Sequence, residues 1–209
     1  MAVGGQGGGV LTNWIVDLAE ANGYAVQATS VAGVAQRTGT TVYYIEMLPN
    51  TGRQPVFALS PVEADVDIVI AAEWMEAGRA IMRGFVSPDR TVLIASSHRA
   101  LAEVEKAVPG NGIADDTEVH LAATKSARRV IAFDMDSIAV NAGTMISASL
   151  FGAIAGADVL PFAVDEFRKT VRRGGRGFEA SLAAFEVAFE RAQSESDASL
   201  YPDLSLIHI

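Results

Sequence analysis

Three short apolar runs limit what this chain can fold into. Asp67-Ile-Val-Ile-Ala-Ala72 and Thr91-Val-Leu-Ile-Ala-Ser96 are apolar at consecutive positions, and Arg129-Val-Ile-Ala-Phe-Asp134 follows the same form. A strand that alternates apolar and polar residues can leave one face in water, whereas a continuously apolar strand needs cover on both. Each run is followed by, or set between, helical patterns. Strands alternating with helices predict an α/β fold of three layers, α/β/α, around a mostly parallel sheet.

The rest of the chain fits that frame. Val10, Trp14, Ile15, Leu18 and Ala19 recur at helical spacing, with Gly23 as a stop after Asn22. Tyr24 to Thr29 and the β-branched and aromatic run Thr40 to Leu48 read as strands. Their short link allows one antiparallel pair, so the sheet has room to be mixed. Pro55 to Leu59 reads as a further short strand, a helix is expected after Glu73 to about Arg83, and another after His98. Asp115 and Glu118 have the spacing of a capping box for a helix to about Ala127. From Met135 onward the pattern is helical: Met135–Ala142, Thr144–Ala155, Val164–Arg172 and Phe178–Gln193. The expected organisation is an α/β domain over 1–160, a C-terminal helical segment over 161–195, and a tail over 196–209. That tail ends on apolar residues and is expected to be truncated or non-native.

Directly ahead of the first helix, Gly4 to Gly9 holds five glycines with only Gln6 between them. Such a loop leaves no side chain between main chain and ligand, and aims the N–H groups of a helix start at one point. An anion or a closely packed partner backbone suits it. Strict fingerprints fail: no G-x-G-x-x-G placement fits, and no Gly-Lys-Ser/Thr follows for a P-loop. A tight strand-to-helix turn is the structural alternative. Only Met1-Ala2-Val3 precede the loop, so its leading strand is expected to be mostly cut away.

Composition removes several chemistries. The 209 residues carry a formal charge of −9, against nonspecific nucleic-acid binding, and contain no cysteine. Thiolate nucleophiles, cysteine-ligated zinc and iron–sulfur clusters are therefore not supplied by this chain. No signal peptide is seen, and a cytoplasmic location is expected. Ser137 to Ala157 has no formal charge, yet its Ser, Thr and Asn content, with Gly152 and Gly156 spaced for close backbone approach, reads as a buried or interface helix and not a membrane span.

Ligands of open α/β sheets sit beyond the carboxyl ends of the strands. Expected there are the Gly4–Gly9 loop, Glu73 and Glu76, and Ser96-Ser97-His98, with Gln36 and Arg37 adding an amide and a fixed cation. Glu73 and Glu76 also suit capping in a helix's first turn. Ser96-Ser97-His98 is not a catalytic triad, since neighbouring residues do not face one another and no third partner is evident. The cluster Arg168, Lys169, Arg172, Arg173 and Arg176 reads as a solvated helix end, with partner binding as the alternative. The chain thus offers an anion-friendly loop and no complete catalytic set.

Gly4-Gly-Gln-Gly-Gly-Gly-Val-Leu11, Val34-Ala-Gln-Arg-Thr-Gly39 and Ala72-Glu-Trp-Met-Glu-Ala-Gly-Arg79 stand in that order. Together they resemble the gamma-type domain of the 2-oxoacid:ferredoxin oxidoreductases, most closely the indolepyruvate:ferredoxin oxidoreductase beta subunit. The likeness runs to about Gln193 and includes Thr91–His98 and Phe133-Asp-Met-Asp136. It implies oxidative decarboxylation of an arylpyruvate to an acyl-coenzyme A, with electrons passed to ferredoxin through a partner. Thiamine diphosphate, its Mg and the iron–sulfur clusters would belong to partner chains. Gly110-Asn-Gly112 indeed lacks the Asp and downstream Asn-Asn of a thiamine diphosphate metal site. By the same likeness Gly5, Gln6, Gly7 and Gly8 face the interface or coenzyme A, with Gln36, Arg37 and Glu73 shaping the cleft. A stand-alone nucleotide- or coenzyme-binding protein and a purely structural assembly subunit are the competing readings.

Overall fold

The computed structural model describes residues 1–3, 5–31, 40–53, 55–98, 117–175 and 177–199. Its strands are β1 (Ala2–Val3), β2 (Tyr24–Val31), β3 (Thr40–Pro49), β4 (Ile68–Ala71), β5 (Val92–Ser96) and β6 (Arg129–Phe133). The helices among these residues are α1 (Gly8–Ala21), α2 (Trp74–Met82), α3 (Thr117–Ser126), α4 (Met135–Ala142), α5 (Ile146–Gly156), α6 (Val164–Arg172) and α7 (Phe178–Ser199).

β4, β5 and β6 run parallel, with Ile70 opposite Ile94 and Leu93 opposite Val130. β3 lies between β1 and β2 and is antiparallel to both. Met1 joins the two ladders: its carbonyl accepts from the Ala72 N–H at 3.0 Å, and its nitrogen donates to the Ile70 carbonyl. The order across the sheet is then β2-β3-β1-β4-β5-β6, and β3 alone is reversed. The reversal follows from the link over 32–39, which is long enough for a hairpin and too short for a crossover.

Alternation along the parallel strands explains their continuous apolar character. Val69, Ala71, Leu93 and Ala95 pack under Trp74, Ala77 and Ala80 of α2 and Ala123 of α3. Val92, Ile94, Ile131 and Phe133 point to the other face, into a larger core built from α1, α4, α5, α6 and α7. α5 is the centre of that layer, and nearly all its residues are buried. Its Gly152 and Gly156 lie against the Phe185 and Phe189 carbonyls of α7, so the close approach anticipated for these glycines is made within the chain. Phe167 and Val171 of α6 and Phe185, Ala188 and Ala192 of α7 belong to the same core. Arg168 fastens α6 to α7, donating to both Glu186 oxygens at 2.7 and 2.8 Å, while also pairing with Asp165. Thus this member of the basic cluster is an internal tie.

The uncharged stretch from Ser137 is two helices. Gly143 ends α4 in a left-handed conformation, φ 75, and among the described residues no helix is long and apolar enough to cross a membrane. One expected strand is not formed. Residues 55–59 take an irregular course in which the Ala58 and Leu59 carbonyls accept from the Gln27 and Thr29 side chains, and the Ala58 N–H donates to Glu46. Side chains there take the bonds that a ladder would have made. The helix expected after His98 and the Asp115 cap fall outside the described residues, and α7 continues past Gln193 to Ser199.

Candidate functional site

Parallel strand direction brings the carboxyl ends of β1, β4, β5 and β6 to one edge of the sheet. β1 ends at Val3, which pairs with Thr40, the first residue of β3. The buried Thr40 hydroxyl donates to Glu76 Oε1 at 2.7 Å and accepts from Arg79 Nη1 at 3.3 Å. Arg79 also pairs with Glu76, and its Nη1 is 4.0 Å from Glu73 Oε1. Three separated stretches of sequence therefore meet here: the glycine loop after β1, the start of β3, and the first turns of α2.

Glu73 is 1 % exposed and caps α2, accepting from the Met75 N–H at 3.0 Å. Its extended backbone, φ −150, is that of an N-cap residue. Glu76 is fully buried; Oε1 takes both partners, and Oε2 has none among the described residues. Burying a carboxylate is costly without a paired cation, so Arg79 and Thr40 are what allow Glu76 to sit there.

Within the glycine loop the positions divide. A side chain at Gly8 would put its Cβ 2.5 Å from Tyr43 Cε2, so this glycine serves close packing of α1 on β3. Gly7 is left-handed, φ 70, and a Cβ there would lie 3.3 Å from Ser147 Oγ. Gly5, φ 97, is exposed with nothing within 4 Å of the corresponding position, and Gln6 is half-buried. α1 begins without a side-chain cap. The turn is thus both a packing device, at Gly8, and an open main-chain surface, at Gly5. Beneath it an apolar cavity of about 170 Å³ lies between α1, β3 and β4, walled by Leu11, Tyr43, Met47 and Ile70 among others, with no charged side chain.

Farther along the edge, Ser96 Oγ and His98 Nδ1 are 2.7 Å apart, and the Met135 N–H donates to the same oxygen at 3.0 Å. Residues two apart on an extended chain share a face, which corrects the expectation that these neighbours do not meet. Ser96 is fully buried and acts as a bracket between β5 and the start of α4. Asp134 caps α4 through the Ser137 N–H and hydroxyl at 2.9 and 2.6 Å. Burial pushes the Asp134 carboxyl up, but those two bonds and nearby His98 outweigh it and hold the group below its ordinary range. Ser96, His98 and Asp134 tie strand ends together and do not make a nucleophilic set. Among the described residues no group of three acidic, His or Cys side chains is placed to hold a metal.

The sequence pattern of one family, "Pyruvate ferredoxin/flavodoxin oxidoreductase", matches residues 1–191. The chain belongs to this family. Solved structures share the fold of this family member. Pyruvate oxidoreductase subunit PORC from Thermotoga maritima superposes with a TM-score of 0.62 at 15% identity, covering 90% of this chain and 91% of that one. The gamma subunit of a keto/oxoacid ferredoxin oxidoreductase from Geobacter sulfurreducens gives 0.61 at 15% identity, over 92% and 95% of the two chains. A 2-oxoglutarate:ferredoxin oxidoreductase from Magnetococcus marinus, solved with 2-oxoglutarate, coenzyme A and succinyl-CoA, gives 0.60 at 12% identity. It covers 92% of this chain and 30% of the longer Magnetococcus chain. No curated protein sequence matches.

Of the residues expected at the site, Gly5, Gln6, Gly7, Gly8 and Glu73 lie on the same edge, with Glu73 turned inward. Gln36 and Arg37 fall outside the described residues. Sequence reasoning passed over Thr40 and Ser147. Thr40 reads as one more β-branched strand residue, and Ser147 as a tolerated polar position in a buried helix. Glu76 and Arg79 carried a usable signal, the i, i+3 spacing of a helical ion pair.

Proposed function

We propose that this chain is the gamma-type subunit of a cytoplasmic indolepyruvate (2-oxoacid):ferredoxin oxidoreductase and forms the coenzyme A side of its inter-subunit cleft. The observation that carries this is the meeting of the glycine loop, the start of β3 and the Glu73–Arg79 turn at one strand-end edge. Family membership supplies the reaction class. Coenzyme A, when bound, supplies the thiol that accepts the acyl group. Gly5, with open space where a side chain would stand, and Gly7 and Gly8 at an uncapped helix start suit an anionic ligand laid on bare main chain. Gln6, Gln36 and Arg37 would line that surface, and Glu73 would shape it from below by fixing the start of α2. Thiamine diphosphate, Mg and iron–sulfur clusters would sit in the partner, and electrons would reach ferredoxin through it; this chain has no cysteine to ligate a cluster.

One observation favours a second reading, an assembly subunit that touches no ligand: Glu73 and Glu76 point inward, and Glu76 Oε1 takes its partners, Thr40 and Arg79, from within the chain. Co-purification with a cysteine-rich thiamine-binding partner, then viologen reduction with indolepyruvate, phenylpyruvate and pyruvate, tests the proposal. Arylpyruvate-dependent reduction that requires coenzyme A is expected. A formed complex that oxidises no 2-oxoacid refutes it. Unchanged coenzyme A dependence in Arg37→Ala and Gln6→Ala would select the assembly reading.

A further inference from the structure

The edge of the sheet opposite the glycine turn carries a second concave site. Ile68, Val92 and Arg129 open β4, β5 and β6 and stand in one row, Ile68 beside Val92 and Val92 beside Arg129. A polar cavity of about 370 Å³ lies at that row, bounded by Asp89 and Arg90 ahead of β5 and by Asp158 and Val159 between α5 and α6. Its charged walls are Asp67, Asp89, Arg90, Arg128, Arg129 and Asp158. Arg90 and Asp67 are matched: Arg90 Nε donates to Asp67 at 2.7 Å, and the same guanidinium pairs with Asp65. Asp89, Arg128, Arg129 and Asp158 enter no ion pair among the described residues.

Arg129 is the wall residue that is fixed in place. It is half-buried and donates through Nη2 to the Ala157 carbonyl at the end of α5, while its buried Nε has no partner. Burial pushes its pKa down, the neighbouring Arg128 does the same, and Asp158 works against both. A guanidinium held in this way without a carboxylate is costly. A cation at a helix end accounts for the bond to Ala157, but not for the unpartnered Nε or for the cavity beside it.

We propose that this cavity binds a small zwitterion of the amino-acid class, its carboxylate on Arg128 and Arg129 and its ammonium on Asp89 and Asp158. Two unmatched cations and two unmatched anions on one cavity fit a ligand that carries both charges. A simple anion would leave the aspartates unmatched, and a doubly charged phosphate would be repelled by them. Arginine suits the carboxylate, which it can take through two parallel N–H bonds. Ile68, Val92 and Val159 give the cavity an aliphatic patch for a side chain. The site lies across the sheet from the proposed coenzyme A surface and does not rest on that function.

Amide NMR titration of the full chain with leucine, 4-methylpentanoate, 3-methylbutylamine and inorganic phosphate tests it. The two analogues each lack one charge of leucine and keep its side chain. Leucine should saturate, shifting the amides of Arg90, Val92, Arg129 and Val159, and each analogue should bind at least about fivefold more weakly. Arg128→Gln and Asp158→Asn should each weaken leucine about two- to fivefold. Both side chains are exposed, and asparagine accepts the left-handed backbone of Asp158, φ 53, so these variants keep the fold. Arg129→Gln should abolish binding; should it fail to fold, the two surface variants decide. No saturation by about 10 mM leucine overturns the proposal. So does equal binding of either analogue, phosphate shifting the same amides as tightly as leucine, or wild-type affinity in either surface variant.

Discussion

Replacing Gly152 by alanine probes what holds the helical layer together. The added Cβ would stand 2.2 Å from the Phe185 carbonyl oxygen, 2.9 Å from its carbon and 3.0 Å from Phe185 Cα. All three are backbone atoms of α7, so no rotamer change relieves them. A carbon–oxygen contact closes to about 3.3 Å, so α7 must retreat by roughly 1 Å. Overpacking of this kind costs about 1–3 kcal/mol. The retreat also loosens Phe185, whose full burial contributes about 1.5–3 kcal/mol, and the half-buried Phe189 beside it. The better helix propensity of alanine returns about 1 kcal/mol. The net loss is about 3 kcal/mol, a fall in Tm of roughly 6–12 °C for a domain of this size. Scanning calorimetry of wild type and Gly152→Ala reads it directly. Gly9→Ala is the control, since its nearest neighbour, the Tyr43 hydroxyl, is 4.0 Å away and the propensity gain should stand alone. A Gly152→Ala protein as stable as wild type would refute the claim that bare backbone sets the α5–α7 spacing.

Arg79→Ala leaves the fully buried Glu76 carboxylate with the Thr40 hydroxyl alone. A loss of about 2–3 kcal/mol in urea unfolding is expected, less than for a fully buried pair because the Arg79 side chain is 40% exposed. Adding Glu76→Gln should restore part of it, and a double mutant no better than Arg79→Ala would contradict the pairing. The Arg168 hydrogen bonds hold the Glu186 carboxyl below its ordinary value of 4.5. A lowered folded value contributes stability above the unfolded pKa that is lost as pH falls through the folded one. Glu186→Gln should therefore cost about 1 kcal/mol at neutral pH, the pair being only partly buried, and should flatten the acid limb of the stability curve. An unchanged acid limb would count against the tie. Ser96→Ala strips a buried partner from the Met135 N–H and from His98, with a loss of about 1–3 kcal/mol and a shifted His98 ring resonance by NMR. An unmoved resonance would refute the bracket.

Much of the architecture could be read from residue order because it rests on local rules. Runs apolar on both faces demand helices on both sides, and Asn22-Gly23 ends a helix whatever surrounds it. The eight residues between β2 and β3 permit a hairpin and forbid a crossover, which is why the sheet is mixed. Glu73 as a first-turn carboxylate and the Gly152/Gly156 spacing were equally visible. Which backbone those glycines would meet was not, because a small-residue stripe records only that something comes close. Pro55–Leu59 looked like a strand since propensity cannot register that Gln27, Thr29 and Glu46 would claim its main-chain groups. The same limit hid Thr40 and Ser147: a hydroxyl in a strand or an apolar helix has no signature until folding gives it a neighbour. Sequence alone determined the layers and the glycine turn, through periodicity and backbone freedom. Only tertiary structure put Thr40 between Glu76 and Arg79, since contacts between distant segments depend on how the elements pack.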